Sequence, residues 1–531
     1  MTTATEEVAN PAYVGGERRV SWAWPPFVLL AAVFSVVCLR GVAAPWHWGH
    51  NGYMGAAFSQ AARNSLRFGI VGQAPYHFGA EPPSPEAIYT HHPLGLHAHV
   101  IAAFLIFGEH EWAARLTPVI HSVATLILLV FAVRRYWDVE TAWLTGLLYL
   151  LTPLNVIFAN MVAHQQGGMF WSLAAVVTYL RWLETGTRRY AAFCAAAITL
   201  AAQFDWPGYY VAFAIAVHCG VLGLRGAAPR SWIRFLFAFS AVTLVNMLGF
   251  FVWIYATRGD LSDMANSFML RRASPPLGAY LALLYRRLAL LYGPALLLAA
   301  VVGAITAWRA CRSDGLQSRA LLPLGFGFAG LVNVVAFPHA AELHSYWTYY
   351  WSPTVALLAA IGLVAAARWF SQGQRSASWS VALIAGFAAL QGARAWHTSA
   401  EQFEHGHAAD CQNCYFQRYE REWFVALGKL NEGKSVEYAI HSSVREPRIE
   451  LLYYLDSPYV FLSDLKSSPG RVLLVDEYRL SEADQEVMRR YRSAYPHSVW
   501  MDRFYAVDFR AMASGRARFA AVDRDVKPWR W

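Results

Sequence analysis

Apolar stretches long enough to cross a bilayer recur from residue 24 to residue 398, which excludes a water-soluble globule for that part of the chain. Eleven runs read as membrane-spanning helices, near 26–43, 113–133, 140–159, 167–183, 190–204, 207–224, 234–256, 288–308, 320–337, 351–367 and 378–396. Arg18-Arg19, Arg134-Arg135, Arg188-Arg189, Arg225/Arg230/Arg234, Arg309/Arg312/Arg319 and Arg368/Arg375 fall on alternate connections, which the positive-inside rule assigns to the cytoplasm. The apolar segment Leu94–Phe107 is short and carries His97 and His99. Counting it as a span would invert the later loops, so it is expected to lie in the interface. The N-terminus is then inside and everything after residue 397 outside.

Charge divides the chain at the same place. Residues 1–400 contain 25 Arg, no Lys and 15 acids, whereas residues 401–531 contain 19 bases and 20 acids. The expected organisation is a cytoplasmic tail (1–23), a mostly α polytopic domain (24–398) with a large first outer loop (44–112), and a small extracytoplasmic α/β domain (399–531). In that last part 420–430 reads as helix, and 435–440, 459–462 and 471–475 as strands. Ser481 opens a capping-box-like helix start, and 500–509 closes with strand-like composition. The net charge of +9 is not a nucleic-acid footprint, because the bases lie in short loops between apolar runs. Six cysteines, with Cys38, Cys194 and Cys219 in apolar segments and Cys311 beside one, form no disulfide lattice.

The groups able to do chemistry sit on the outward connections. Eight of the 18 histidines lie between positions 47 and 110, and histidine is costly at membrane depth unless it is paired or working. The spacing of His91, His92, His97 and His99 matches no standard zinc pattern, and no carboxylate or Cys accompanies it. His405, His407, Cys411 and Cys414 have ligand types and spacing compatible with zinc; a Cys411–Cys414 disulfide competes in an outward domain, and free thiols remain open.

The order of segments supplies a resemblance. A first span is followed by a long outer loop with Ala62-Arg63-Asn64-Ser65-Leu66-Arg67-Phe68-Gly69, then His91-His92-Pro93-Leu94, then Phe107-Gly108-Glu109-His110-Glu111-Trp112-Ala113-Ala114-Arg115-Leu116 opening the next span. Later come Phe204-Asp205-Trp206-Pro207-Gly208 and the aromatic run from Leu343 to Pro353. This arrangement resembles the GT-C-fold membrane glycosyltransferases. Its nearest likeness is to the bacterial families related to protein O-mannosyltransferases (glycosyltransferase family 39) and to aminoarabinose and lipopolysaccharide-core transferases. The resemblance implies an enzyme that moves a sugar from a polyprenyl-phosphate donor to a lipid, polysaccharide or protein acceptor on the outer face of a bacterial inner membrane, with no cofactor and no nucleic-acid partner.

In that family an acid early in the first outer loop serves as the base or positions the acceptor. Here that place reads His50-Asn51-Gly52, and there is no Asp or Glu from 40 to 80. His50 is a chemically adequate base. Asp205 is the other candidate, with a helix cap for the span starting at Pro207 as its competing role. Asn51, His91 and His92 are candidate substrate contacts. Arg271-Arg272 and Arg286-Arg287 fall on an outward loop against the positive-inside trend, so a phosphate role competes with interfacial snorkelling or pairing with Asp260 and Asp263. His344, Tyr346 and Tyr349 face the same compartment, where an aromatic belt competes with sugar or phosphate contact. Two other classes stay open: a catalytically silent relative that binds lipid-linked sugar or scaffolds an envelope complex, and a lipid-carrier transporter.

Overall fold

A computed structural model describes residues 24–46, 49–273, 275–314, 318–372, 377–404, 418–430, 436–444, 449–465, 470–500 and 503–510. They separate into two compact units: the described residues of Met1–Ala44 and Ile88–Gln412, and those of Pro45–Ala87 and Asn413–Trp531.

The first unit is helical. It opens with α1 (Trp24–Leu39), after which α2 (His50–Phe68) belongs to the second unit. The first resumes with α3 (Gly95–Phe107), α4 (Glu111–Tyr136), α5 (Val139–Leu150), α6 (Pro153–Phe158), α7 (His164–Thr185), α8 (Arg188–Phe204), α9 (Pro207–Leu224) and α10 (Trp232–Arg258). It continues through α11 (Ser262–Arg272), α12 (Leu277–Leu291), α13 (Pro294–Asp314), α14 (Ser318–Ala336), α15 (Pro338–Leu343), a 3-10 turn at Ser345–Trp351, α16 (Ser352–Gln372) and α17 (Ala377–Glu404).

Each of the eleven apolar runs is built around helix. Among the described residues, four helices are long and apolar enough to cross a membrane unaided: Glu111–Tyr136, Pro207–Leu224, Trp232–Arg258 and Ser345–Trp369. A fifth arises if Leu277–Leu291 and Pro294–Arg309, bent by 99°, count as one span. Proline explains two interruptions. Pro153, at the first position of α6, cannot donate to the preceding turn and splits the 140–159 run. Pro294 does the same after Gly293, at the sharp bend between α12 and α13. Backbone groups freed in an apolar surrounding need donors. The α17 residue Gln391 donates to the Tyr292 carbonyl at 2.7 Å, and Arg394 donates to that of Ala289. Small residues close the bundle elsewhere. A side chain at Gly303 would strike the Leu358 carbonyl, and one at Gly362 the Ala299 carbonyl, so α13 and α16 meet backbone to backbone. The Leu94–Phe107 segment is α3, packed on α4 and α8.

The second unit differs from the expected division of the chain. Residues Pro45–Ala87 of the first outer loop join the C-terminal part rather than the helical unit. There α18 (Arg418–Leu430), α19 (Ile449–Leu455) and α20 (Glu482–Ala494) accompany a five-stranded sheet of order β2-β1-β3-β5-β4. The strands are β1 (Tyr438–His441), β2 (Tyr459–Leu462), β3 (Val472–Asp476), β4 (His497–Trp500) and β5 (Phe504–Asp508). β1 pairs in parallel with β2 and β3, while β5 is antiparallel to β3 and β4. The strand-like composition at 500–509 corresponds to β5, which pairs with β4 as a hairpin. Ala439, Leu473, Val475, Met488 and Val507 belong to the core between the sheet and α20. Ser481 caps α20 by accepting from the Asp484 N–H at 3.2 Å.

Two adjacent arginines on α12 have opposite surroundings. Arg286 is exposed, whereas Arg287 is buried and donates to the Ala341 carbonyl and, at 2.6 Å, to that of Glu342 at the end of α15. Losing those donors is expected to cost about 1–3 kcal/mol. Arg287→Ala should therefore lower the Tm of the purified protein in detergent, and Arg286→Ala should leave it unchanged. Equal Tm values for the two variants would contradict the bracing role.

Candidate functional site

Asp205 ends α8 in an extended conformation, two residues before Pro207 opens α9. It is 4% exposed. Its Oδ1 accepts the Trp206 N–H at 2.9 Å, and its Oδ2 accepts the Tyr350 hydroxyl at 3.2 Å. His92 Nδ1 lies 3.3 Å from Oδ1. An N-cap carboxylate would bond N–H groups inside α9; this one bonds the residue next to it and turns toward groups from distant segments. Gly168 makes room, because a Cβ there would meet the Tyr350 hydroxyl and the Asp205 Cβ.

The chemistry of the neighbours orients His92. Arg271 NH2 stands 3.5 Å from its Nε2. A guanidinium can only donate, so Nε2 accepts and the ring proton sits on Nδ1, facing Asp205. The His92 ring stacks on that of His164 at 4.3 Å and 12°. Burial, the Arg271 charge and His91 hold His92 well below the usual histidine range, so the imidazole is neutral. Burial likewise pushes the Asp205 carboxyl up, opposed by the Trp206 and Tyr350 hydrogen bonds and the Arg271 charge. The centre is thus a buried acid of raised pKa, flanked by two neutral imidazoles, a phenol and one guanidinium.

A second acid holds the frame. Asp263 on α11 accepts from Thr90 Oγ1 at 2.7 Å and lies 3.3 Å from His91 Nε2 and 3.4 Å from Arg258. Burial raises its pKa, but Thr90, His91 and Arg258 bring it below the ordinary carboxylate value. Arg258 also donates to the Ile88 carbonyl at 2.7 Å, and Trp206 Nε1 to that of His91 at 2.9 Å. These bonds tie the 88–92 segment to α9, α10 and α11.

The structure therefore brings together Asp205, His91, His92 and Arg271 from the candidates. Arg272 is exposed and lies over the Phe268 ring; Arg287 is spent on carbonyls and Arg286 is exposed. Of the four arginines, Arg271 is the one that stands beside His92 and Asp205. His344 packs its ring against Tyr346 and Trp347, at 5.2 and 5.7 Å. Tyr346 and Tyr349 are buried, and of the tyrosines in this run it is their neighbour Tyr350 that bonds the acid. His50 opens α2 half-buried and Asn51 is buried behind it, both in the second unit. His405, His407, Cys411 and Cys414 lie outside the described residues, and among those described no three His, Cys, Asp or Glu side chains are grouped to hold a metal ion. His164 and Tyr350 are the residues that sequence reasoning missed as site members. His164 carried a signal, as a histidine at the polar start of a span; Tyr350 lay within an aromatic run indistinguishable from a belt.

Residues 91–255 match the dolichyl-phosphate-mannose-protein mannosyltransferase family. The structure is similar to that of ArnT from Cupriavidus metallidurans bound to undecaprenyl phosphate, with a TM-score of 0.61 and 14% identity over 93% of this chain and 100% of that one. Against ArnT in the apo state the TM-score is 0.59 at 15% identity, over 92% of this chain and 99% of that one. The archaeal oligosaccharyltransferase AglB from Archaeoglobus fulgidus, in complex with an inhibitory peptide and a dolichol-phosphate, gives 0.55 at 13% identity, over 92% of this chain and 75% of that one. No curated protein matches the sequence. At these identities the structural likeness is one of fold: the chain shares the GT-C architecture of these proteins, and residues 91–255 carry the match to the mannosyltransferase family.

Proposed function

We propose that the protein transfers a sugar from a polyprenyl-phosphate donor to an envelope acceptor at the outer face of the bacterial cytoplasmic membrane, with Asp205 as the general base. One observation carries this reading: the buried Asp205 carboxylate, faced by His92 and Tyr350, with Arg271 beside them. The undecaprenyl phosphate and dolichol-phosphate bound to the ArnT and AglB structures support the donor class. The acceptor is a hydroxyl of a lipid, polysaccharide or protein.

In the step itself the acceptor oxygen attacks the anomeric carbon and forms the new C–O bond. The bond from that carbon to the phosphate oxygen breaks, and its electron pair leaves with the lipid phosphate. Asp205 accepts the acceptor's proton, and burial makes its carboxylate a stronger base than a solvated aspartate. Arg271 meets the charge growing on the phosphate. His92 passes the orientation of Arg271 to the carboxylate and stays neutral throughout.

Transfer of labelled sugar by the purified protein tests this. Asp205→Asn should lower turnover by about 10²–10⁴-fold while the protein still inserts. Near-normal transfer by Asp205→Asn, or no transfer by the wild type from any polyprenyl-phosphate sugar, would sink the reading; the second result would favour a silent lipid-binding relative.

The pH profile gives an independent sign. The base works as a carboxylate, so activity should fall as pH drops through its pKa, above the ordinary aspartate value of about 3.9. Tyr350 stabilises the charged form, so Tyr350→Phe should move that acid limb to higher pH, by about 1–2 units if the bond contributes 1.5–3 kcal/mol. A limb that stays put, or moves down, would exclude Asp205 as the titrating base.

A further inference from the structure

The Ala62-Arg63-Asn64-Ser65-Leu66-Arg67-Phe68-Gly69 segment takes no part in the chemistry above, yet its polar side chains are fully engaged inside the second unit. Gln60, Arg63 and Arg67 are spaced three and four apart, so they share one face of α2. All three reach a single residue. Gln60 Nε2 donates to Asp456 Oδ1 at 3.1 Å, Arg67 NH2 donates to Oδ2 at 2.5 Å, and Arg63 NH1 stands 3.8 Å from Oδ2. Arg63 also donates to the Tyr453 carbonyl at 3.0 Å, with its guanidinium 4.1 Å over that ring. From α2 the bonding continues into the rest of the loop. Asn64 Nδ2 donates to the Ala74 and His77 carbonyls at 2.7 and 2.8 Å, and Arg67 NH1 to that of Gly79 at 2.9 Å.

Asp456 holds this position at a conformational cost. It follows α19 with φ 42°, the left-handed region, and its N–H closes the helix onto the Leu452 carbonyl at 2.8 Å. Glycine or asparagine fits such a cap with less strain. An aspartate there adds the one thing they lack, a negative charge between two arginines.

We infer that Asp456 is a latch that holds the first outer loop in its working shape, and that Gln60, Arg63 and Arg67 are positioning residues rather than ligands for sugar or phosphate. The consequence is that the C-terminal part of the chain is required for transfer. The loop it holds begins with His50 and Asn51 and runs directly into His91 and His92. The activity arm of this inference rests on the transferase reading; the loop arm does not.

The test uses the full-length protein in detergent and three variants. Asp456→Gly keeps the backbone and removes the carboxylate. Asp456→Asn keeps a Gln60 acceptor and removes the charge. Arg67→Met removes the partner and keeps the aliphatic stem. Chymotrypsin cleavage after Tyr76 and Phe78 reads the loop, and transfer reads the function. Asp456→Gly should raise cleavage at least tenfold and lower kcat at least tenfold with the donor KM nearly unchanged. Asp456→Asn should fall between it and the wild type, and the effects of Arg67→Met and Asp456→Gly should combine to less than their sum, because both remove the Arg67–Asp456 contact. Unchanged cleavage in Asp456→Gly overturns the latch, and faster cleavage with unchanged kcat overturns the positioning role. A raised donor KM at constant kcat would instead make the arginines ligands. If the wild type transfers nothing but cleavage still responds as expected, the latch stands and the transferase reading falls.

Discussion

A carboxylate at the rim of an apolar helix bundle survives as a charge only where donors meet it, because an unpaired buried charge costs several kcal/mol. Asp205 imposes that condition on the helical unit. The end of α8 supplies the acid, the start of α9 a backbone N–H, the 345–351 turn a phenol, the 88–92 segment an imidazole, and α11 the guanidinium behind it. Gly168 at the start of α7 is the clearance that lets the acid and the phenol approach. The likeness in fold to ArnT and AglB sets the architecture; these contacts belong to this chain.

The same rule sorts the outward-loop arginines. Each guanidinium goes where acceptors or water can satisfy it. Arg258 takes Asp263 and a carbonyl, Arg271 takes the His92 nitrogen, Arg287 takes the carbonyls at the end of α15, and Arg272 and Arg286 stay at the surface. The bend before α13 obeys it too, since α17 returns donors to the carbonyls that Pro294 leaves behind. At the site the same rule gathers an imidazole, a phenol and a guanidinium around one buried carboxylate.

Much of the helical order was legible because long apolar runs report helix directly: all eleven are helical, and β2 and the capped start of α20 lie where composition put them. Asp205, His91 and His92 stood out as polar groups on outward connections. Tyr350 did not, since a phenol in a run of aromatics signals an interface whether or not its hydroxyl has a partner. Which arginine of Arg271-Arg272 or Arg286-Arg287 turns inward depends on helix phase against neighbours that are far away in sequence. The attachment of α2 was hidden for a related reason. The sequence shows a polar-decorated segment after the first span but not that it packs on α19, nearly four hundred residues on. The departure from the family pattern left His50 and Asp205 both open as the base; the structure places Asp205 buried on the 205–206 connection, faced by His92 and Tyr350.

The most direct measurement is a structure of the protein with undecaprenyl phosphate bound. The account predicts that the phosphate lies within hydrogen-bond distance of Arg271, with the Asp205 carboxylate opening toward the side where the sugar would be attached. A phosphate seated elsewhere, with Arg271 still on His92 and Asp205 closed off from it, would contradict the assignment of this cluster as the reaction centre.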